Sequence, residues 1–236
     1  MVYDAARREI VLFGGYGNGS YFSDTWTWDG TNWEQETPSI APSGRVDAAI
    51  AYDPAHARVV LFSGGAANDP GADTWSWNGH NWTRVQLALS PPARQGGVMT
   101  YDAARKNLVM VGSVTGEPST MIPWVLNGSN WMQLHPATAD VPPRRYGPFV
   151  GSLGDSGQVV VFGGLGASDM WIWDGAKWKS VVPPKSPSPR GGGMQTATPM
   201  AYDSCHHELV LFSGQGPSGW MTDTWTFDGT TWTRRG

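Results

Sequence analysis

Apolar residues fall along this chain in short clusters that recur at a steady interval. A run of four stands at Ile10-Val11-Leu12-Phe13, Val59-Val60-Leu61-Phe62, Leu108-Val109-Met110-Val111, Val159-Val160-Val161-Phe162 and Leu209-Val210-Leu211-Phe212, and the last residues of successive runs are 49, 49, 51 and 50 apart. Four consecutive apolar residues rich in β-branching, too few for a buried helix, predict a strand buried on both faces. Further on, a segment alternates aromatic with polar, as in Thr25-Trp26-Thr27-Trp28, the period of two that gives a strand one aromatic face. A later tryptophan always follows the first by seven residues: Trp26 with Trp33, Trp75 with Trp82, Trp124 with Trp131, Trp171 with Trp178, Trp225 with Trp232. Between them stand Asp29-Gly30, Asn78-Gly79, Asn127-Gly128, Asp174-Gly175 and Asp228-Gly229. These dipeptides predict tight hairpins, because such turns need the positive φ that Gly and Asn tolerate. Ahead of the tetrad runs a segment that usually ends in Tyr-Asp, as at Tyr52-Asp53. Each copy therefore reads as four strands, A to D, in an antiparallel meander.

One such sheet cannot bury both of its faces alone, so neighbours must stack, and radial stacking of four-stranded sheets makes a β-propeller. The expectation is an all-β propeller of five four-stranded antiparallel blades in a single domain over residues 1–236, with repeats at about 1–44, 45–93, 94–143, 144–189 and 190–236. Its first blade is incomplete in strand A, because only Met1 and Val2 precede Tyr3 whereas Arg45 stands seven residues before Tyr52. An open seam leaves unpaired edges. Either a tolerated gap or self-association through the incomplete blade is expected, and the five copies are either a whole ring, a fragment of a larger one or half of an assembly.

The combined motif carries a resemblance. Arg-x6-Tyr-Asp, an apolar run into Gly-Gly (Gly14-Gly15, Gly64-Gly65, Gly163-Gly164), then Asp-Thr-Trp-x-Trp-Asp-Gly-x-x-Trp resembles bacterial kelch-repeat proteins, whose propeller is like the central domain of galactose oxidase. Copy three departs with Gly112-Ser113 and Ile122-Pro123, and copy four with Ser152 in place of Tyr. The resemblance implies strand A innermost, around a central channel.

Composition narrows the function classes. With 31 Gly, 18 Pro and 14 Trp, and charged residues only 15%, the chain is too aromatic for disorder and too rich in helix breakers for a bundle. The net charge is −4 and no basic run exceeds a pair, so nucleic acid is not an expected partner, and no apolar stretch is long enough for a membrane span. One cysteine, Cys205, excludes an internal disulfide framework and a multi-cysteine zinc site. Charges at Arg7, Arg8 and Glu9 stand where a signal peptide needs an apolar core, which suggests a cytoplasmic chain or part of a longer exported protein.

Meander topology puts A–B and C–D turns on one face and the B–C and D–A loops on the other. The first face is monotonous. On the second the copies differ: the tetrad-to-Trp spacing is 13, 13, 13, 9 and 13, and variation on a constant scaffold marks a functional rim. Thirteen tryptophans hold repeat positions and suit packing between blades, whereas Trp220 lies in a Gly/Ser-rich B–C loop. The equivalent loop of copy one carries Tyr16, Tyr21 and Phe22, so these aromatics are candidates for contacting a sugar, a peptide or a protein across the seam. Arg45, Arg94, Arg145 and Arg190 recur at the start of strand A. They read either as a cationic collar for an anionic ligand or as partners of the repeat carboxylates Asp24, Asp73, Asp169 and Asp223, with copy three, which lacks that Asp, leaving an arginine over.

Catalytic signals are weak. A copper site like that of galactose oxidase needs two His, two Tyr and a Cys; Cys205-His206-His207 lies in an A–B hairpin with no such tyrosines. His56, His80 and His135 have no partners at ligand spacing, and Glu117 with Asp69 is only a thin candidate for paired-carboxylate chemistry. No catalytic set, cofactor or metal is therefore assigned. The leading expectation is a non-enzymatic propeller that binds a protein or carbohydrate on the B–C/D–A face. The alternatives are a carbohydrate-active enzyme, like a sugar oxidase or sialic-acid epimerase on a similar propeller, and a structural module of a larger extracellular protein.

Overall fold

The computed structural model describes residues 1–65, 71–94, 96–112, 121–128, 130–134, 141–143, 145, 147–164, 166–192 and 198–236. Five four-stranded antiparallel sheets follow one another, each in the order A-B-C-D, as a five-bladed β-propeller. Blade 1 is Val2–Asp4, Glu9–Gly17, Ser20–Trp28 and Trp33–Glu36; blade 2 is Ala49–Asp53, Arg58–Phe62, Thr74–Trp77 and Trp82–Val85. Blade 3 is Val98–Asp102, Asn107–Val111, Trp124–Leu126 and Trp131–Gln133; blade 4 is Phe149–Leu153, Gln158–Phe162, Met170–Trp173 and Trp178–Val181. Blade 5 is Ala201–Asp203, Glu208–Phe212, Thr224–Phe227 and Trp232–Arg234. No helix among the described residues is long and apolar enough to cross a membrane.

The turns form as their chemistry dictates, with one refinement. Trp28 pairs with Trp33 and Trp77 with Trp82, so the C–D loop holds four residues rather than two. The Asp29 carboxylate closes it by accepting from the Thr31 and Asn32 amides, while Gly30 takes the positive φ of 100°. Strands A of successive blades are neighbours, which puts them innermost. Blade 4 has an extra edge there, where Thr198–Pro199 pairs in parallel with Phe149 and Val150.

Apolar cores lie between blades, and the described residues build four of them: between blades 1 and 2, 2 and 3, 3 and 4, and 4 and 5. Alternation along strand B explains how. Val59 and Leu61 join the core shared with blade 1, Val60 and Phe62 the core shared with blade 3, so the tetrad is buried on both faces as its sequence predicts. In the terminal blades only one face is covered. Val11, Leu209 and Leu211 are buried, while Ile10 and Leu12 in blade 1 and Val210 in blade 5 are half-buried and Phe212 is exposed.

The D-strand tryptophan is the main inter-blade knob. Trp82 lies edge-on to Phe13 at 5.3 Å and donates its Nε1–H to Thr25 Oγ1 (2.9 Å). Trp131 packs tilted on Phe62 and donates to Thr74 Oγ1 (3.0 Å), and Trp232 packs tilted on Phe162 and donates to Met170 Sδ (3.4 Å). In blade 3 the acceptor position is Pro123, and the buried Trp178 Nε1–H of blade 4 has no partner among the described residues. The departure Ile122-Pro123 thus removes a hydroxyl that the neighbouring blade uses elsewhere.

Candidate binding site

The four recurrent arginines are all buried. Arg45 donates to both carboxylate oxygens of Asp73 (2.7 and 3.2 Å), Arg145 to both of Asp169 (2.7 and 2.8 Å), and Arg190 to both of Asp223 (2.5 and 2.9 Å). Each of these carboxylates also accepts the Nε1–H of the tryptophan two residues on, Trp75, Trp171 or Trp225. Burial alone would raise the carboxyls of Asp73 and Asp169, but hydrogen bonds from arginine and tryptophan outweigh it and hold them below the usual range. The bond from Arg190 holds Asp223 at about 2. Remaining guanidinium donors reach backbone oxygens, as from Arg45 to Ser43 and Ser63. Arg94 is buried as well, with its Nε–H on the Pro92 carbonyl. Asp24 of blade 1 serves Trp26 (2.7 Å). Arg45, Arg145 and Arg190 therefore stand as braces between the start of strand A and the start of strand C of one blade, with their charge turned into the protein.

The lower face, made of A–B and C–D turns, is a belt of similar braces between blades. Asp4 and Arg7 pair, and Arg7 reaches the Asn78 carbonyl of the next blade; Arg105, paired with Asp102, reaches the Asp174 carbonyl. His56, paired with Asp53, lies against Gly128. His206 pairs with Asp203 (2.7 Å) in the same way, and Cys205 beside it is exposed. No group of three or more metal-ligating side chains occurs among the described residues.

The upper rim is different. Strands B and C of blade 1 run on past the core as a long hairpin, with a bulge between Phe13 and Gly15 and the turn at Asn18 and Gly19, both of positive φ. It carries Tyr16, Tyr21 and Phe22, which are 60%, 38% and 39% exposed, and the two tyrosine rings are 5.0 Å apart. The base of the hairpin is tied to blade 2: Arg45 N–H donates to the Phe22 carbonyl (3.1 Å) and Gly15 N–H to the Arg45 carbonyl (2.9 Å). Trp220, 68% exposed, stands on a separate small hairpin of blade 5, Gln215–Gly216 with Gly219–Trp220. Among the described residues no ring contact joins it to the blade 1 aromatics; they rise on either side of the seam. Glu117, Asp69 and His135 lie outside the described residues.

At the base of the blade 1 hairpin is a cavity of about 290 Å³ lined by Leu12, Phe13, Gly14, Gly15, Val46 and Asp47, among others. Asp47 has a φ of 56°, and burial pushes its carboxyl above the usual range. Two residues after the recurrent arginine, the other copies hold Gly96, Gly147 and Gly192. Gly96 and Gly147 share the left-handed conformation, with φ of 70° and 57°. A carboxylate thus occupies a glycine position at a cost in backbone strain. The sequence held that signal, but only in the register of the arginines.

No family model and no curated protein matches the chain. Among solved structures, 155 chains match it. One is the structure of YjhT, a propeller, which aligns over 97% of this chain and 81% of its own with a TM-score of 0.67 and 13% identity. It resembles this chain in fold. An arrangement shared that widely does not select an activity, so function has to be argued from the rim itself.

Proposed function

We propose that this protein is a non-enzymatic binding propeller that holds a carbohydrate or protein ligand on its upper rim. The observation that carries the reading is the exposed aromatic hairpin of blade 1, whose base residues Phe13, Gly14 and Gly15 line a cavity with Asp47 in its wall. Tyr16, Tyr21 and Phe22 offer apolar ring faces of the kind that stack on the C–H face of a sugar or on a peptide side chain. Asp47, half-buried in the cavity wall, adds an acceptor for hydroxyl or amide donors. Trp220 adds a second aromatic wall across the seam. The blade motif also resembles kelch repeats, which supports a scaffold that keeps its blades constant and varies its loops.

The arginines take the supporting part in this reading: Arg45 anchors the hairpin base through its backbone, and Arg94, Arg145 and Arg190 fix the equivalent starts of strand A. Glycan-array and pull-down screening of the intact protein tests it. Tyr21→Ala, Trp220→Ala and Asp47→Gly are each expected to weaken the selected ligand by about tenfold or more while the fold is kept. Asp47→Gly is the sharpest variant, because it installs the residue that the other copies use and relieves the backbone. Unchanged binding in all three would remove the aromatic rim as the site.

A further inference from the structure

Every blade has two unlike faces, and at the seam between blades 5 and 1 one of each kind is left uncovered. On blade 1, Trp33 is 45% exposed, whereas Trp82, Trp131, Trp178 and Trp232 are at most 2% exposed. On blade 5, Phe212 is 62% exposed, whereas Phe62 and Phe162, its equivalents in blades 2 and 4, are fully buried beneath the tryptophan of the following blade. Thr224 stands beside Phe212 where Thr25 and Thr74 stand beside Phe13 and Phe62, each of the latter two accepting a tryptophan Nε1–H.

The same incompleteness repeats at two other levels of the ring. On the lower face, the residue three after the strand A aspartate meets the glycine turn of the next blade: Arg7 meets Gly79, His56 meets Gly128 and Arg105 meets Gly175. Its counterpart His206 has a side chain 74% exposed, and a Cβ on Gly30, the turn glycine of blade 1, would meet nothing within 4 Å. On the upper face, Gly15, Gly64 and Gly164 donate their N–H to the carbonyls of Arg45, Arg94 and Arg190 in the next blade (2.9, 3.1 and 2.8 Å). Among the described residues the equivalent Gly214 N–H makes no such backbone bond.

We infer that the seam is the seat of one further blade of this same repeat. Such a blade is the unit that presents both complements at once: a D-strand tryptophan for Phe212 and Thr224, and a Phe-ended strand B with a Thr at the start of strand C for Trp33. It also brings an arginine carbonyl for Gly214, a glycine turn for His206 and a basic A–B turn for Gly30. Closure of blade 1 directly onto blade 5 would have to rotate the four packed cores that already fix the angles between blades, and close-packed cores resist such strain. The interaction surface is thus specific for a kelch-like blade and is continuous with the four interfaces already built.

The test lengthens the chain by its own repeat. Residues 38–86 joined after Gly236 keep the register, because Trp33 to Arg45 is 12 residues and Trp232 to the added arginine is again 12. Hydroxyl-radical footprinting of the 236-residue chain and of the lengthened chain reads oxidation at the native Trp33 and Phe212. Both are expected to react readily in the former, and to fall by about tenfold or more in the latter, to the level of Trp82 and Phe62. Trp82→Ala made only in the added copy should restore oxidation at Phe212 while leaving Trp33 protected. Persistent reactivity of Trp33 and Phe212 in the lengthened chain overturns the proposal. So does protection of both in the 236-residue chain, as a ring closed on itself if light scattering gives a monomer, or as a surface made for a second copy if it gives a dimer.

Discussion

Removing the carboxylate of Asp223 should be among the most damaging single changes in this protein, although Asp223 lies near the surface. The side chain of Arg190 is 0% exposed and that of Asp223 is 15% exposed. Asp223→Ala would take away two charge-assisted bonds and leave a guanidinium in the interior with only Ser188 and Ser213 oxygens around it. An uncompensated buried charge costs about 3–5 kcal/mol. At roughly 2–4 °C per kcal/mol for a chain of this size, the melting temperature should fall by about 6–20 °C. Asp24→Ala is the matched control, since Asp24 accepts from Trp26 but among the described residues holds no arginine, and it should cost only about 1 kcal/mol. Arg190→Met combined with Asp223→Ala should be more stable than Asp223→Ala alone, because the double variant no longer buries a charge. The acid limb reads the same pair. The Arg190 bond depresses the Asp223 carboxyl from 3.8 to about 2, so its contribution is complete above about pH 4 and is lost as the pH falls toward 2. After solvent screening that contribution is about 1–2 kcal/mol. Urea and thermal melts of the four proteins decide the matter, and equal losses for Asp223→Ala and Asp24→Ala would refute the ion-pair reasoning.

Two further outcomes test the packing. Trp82→Ala should cost about 3–5 kcal/mol in a chemical melt. Trp33→Ala, at the same repeat position but 45% exposed, should cost only about 1–2 kcal/mol, and parity between them would mean that the seam is covered in solution. Pro123→Thr restores the hydroxyl that Thr25 and Thr74 supply in blades 1 and 2 and gives the buried Trp178 Nε1–H an acceptor. The variant should gain about 1 kcal/mol, and a loss would show that Pro123 is needed for its backbone rather than tolerated at the expense of a hydrogen bond.

Much of the architecture was legible because it rests on local rules repeated five times. The spacing of seven between tryptophans gave the C–D hairpin of every blade, and the apolar tetrad gave strand B. The pairing of arginine with aspartate was legible too, as one of two readings, because the residue types recur in register. Other features were present in the sequence but easily read for something else. Asn18-Gly19 is a hairpin turn by the same rule that predicts the C–D turns, yet it falls between strands B and C, where the repeat motif puts no turn signal. Asp47 is an ordinary aspartate until it is set beside Gly96 and Gly147, after which its left-handed backbone stands out.

What sequence cannot convey is which neighbour a repeated residue meets. Trp33 and Trp82 occupy the same place in the same motif, and the motif assigns both to packing. One is nevertheless buried against Phe13 and Thr25, while the other stands half-exposed at the seam. The difference comes from position in the ring, a property of the assembly and not of the repeat. The rim obeys the converse rule. The blade 1 hairpin is free to extend, and Asp47 to replace a glycine, because neither belongs to an inter-blade core. A propeller of this kind separates its tasks by radius and height: tetrads and tryptophans are fixed by their neighbours, arginine braces hold the ends of the strands, and only the loops above them vary. Tyr16, Tyr21, Phe22 and Trp220 are exposed for that reason, and the same logic distinguishes them from Trp33 and Phe212, whose exposure belongs to the uncovered packing faces of the terminal blades.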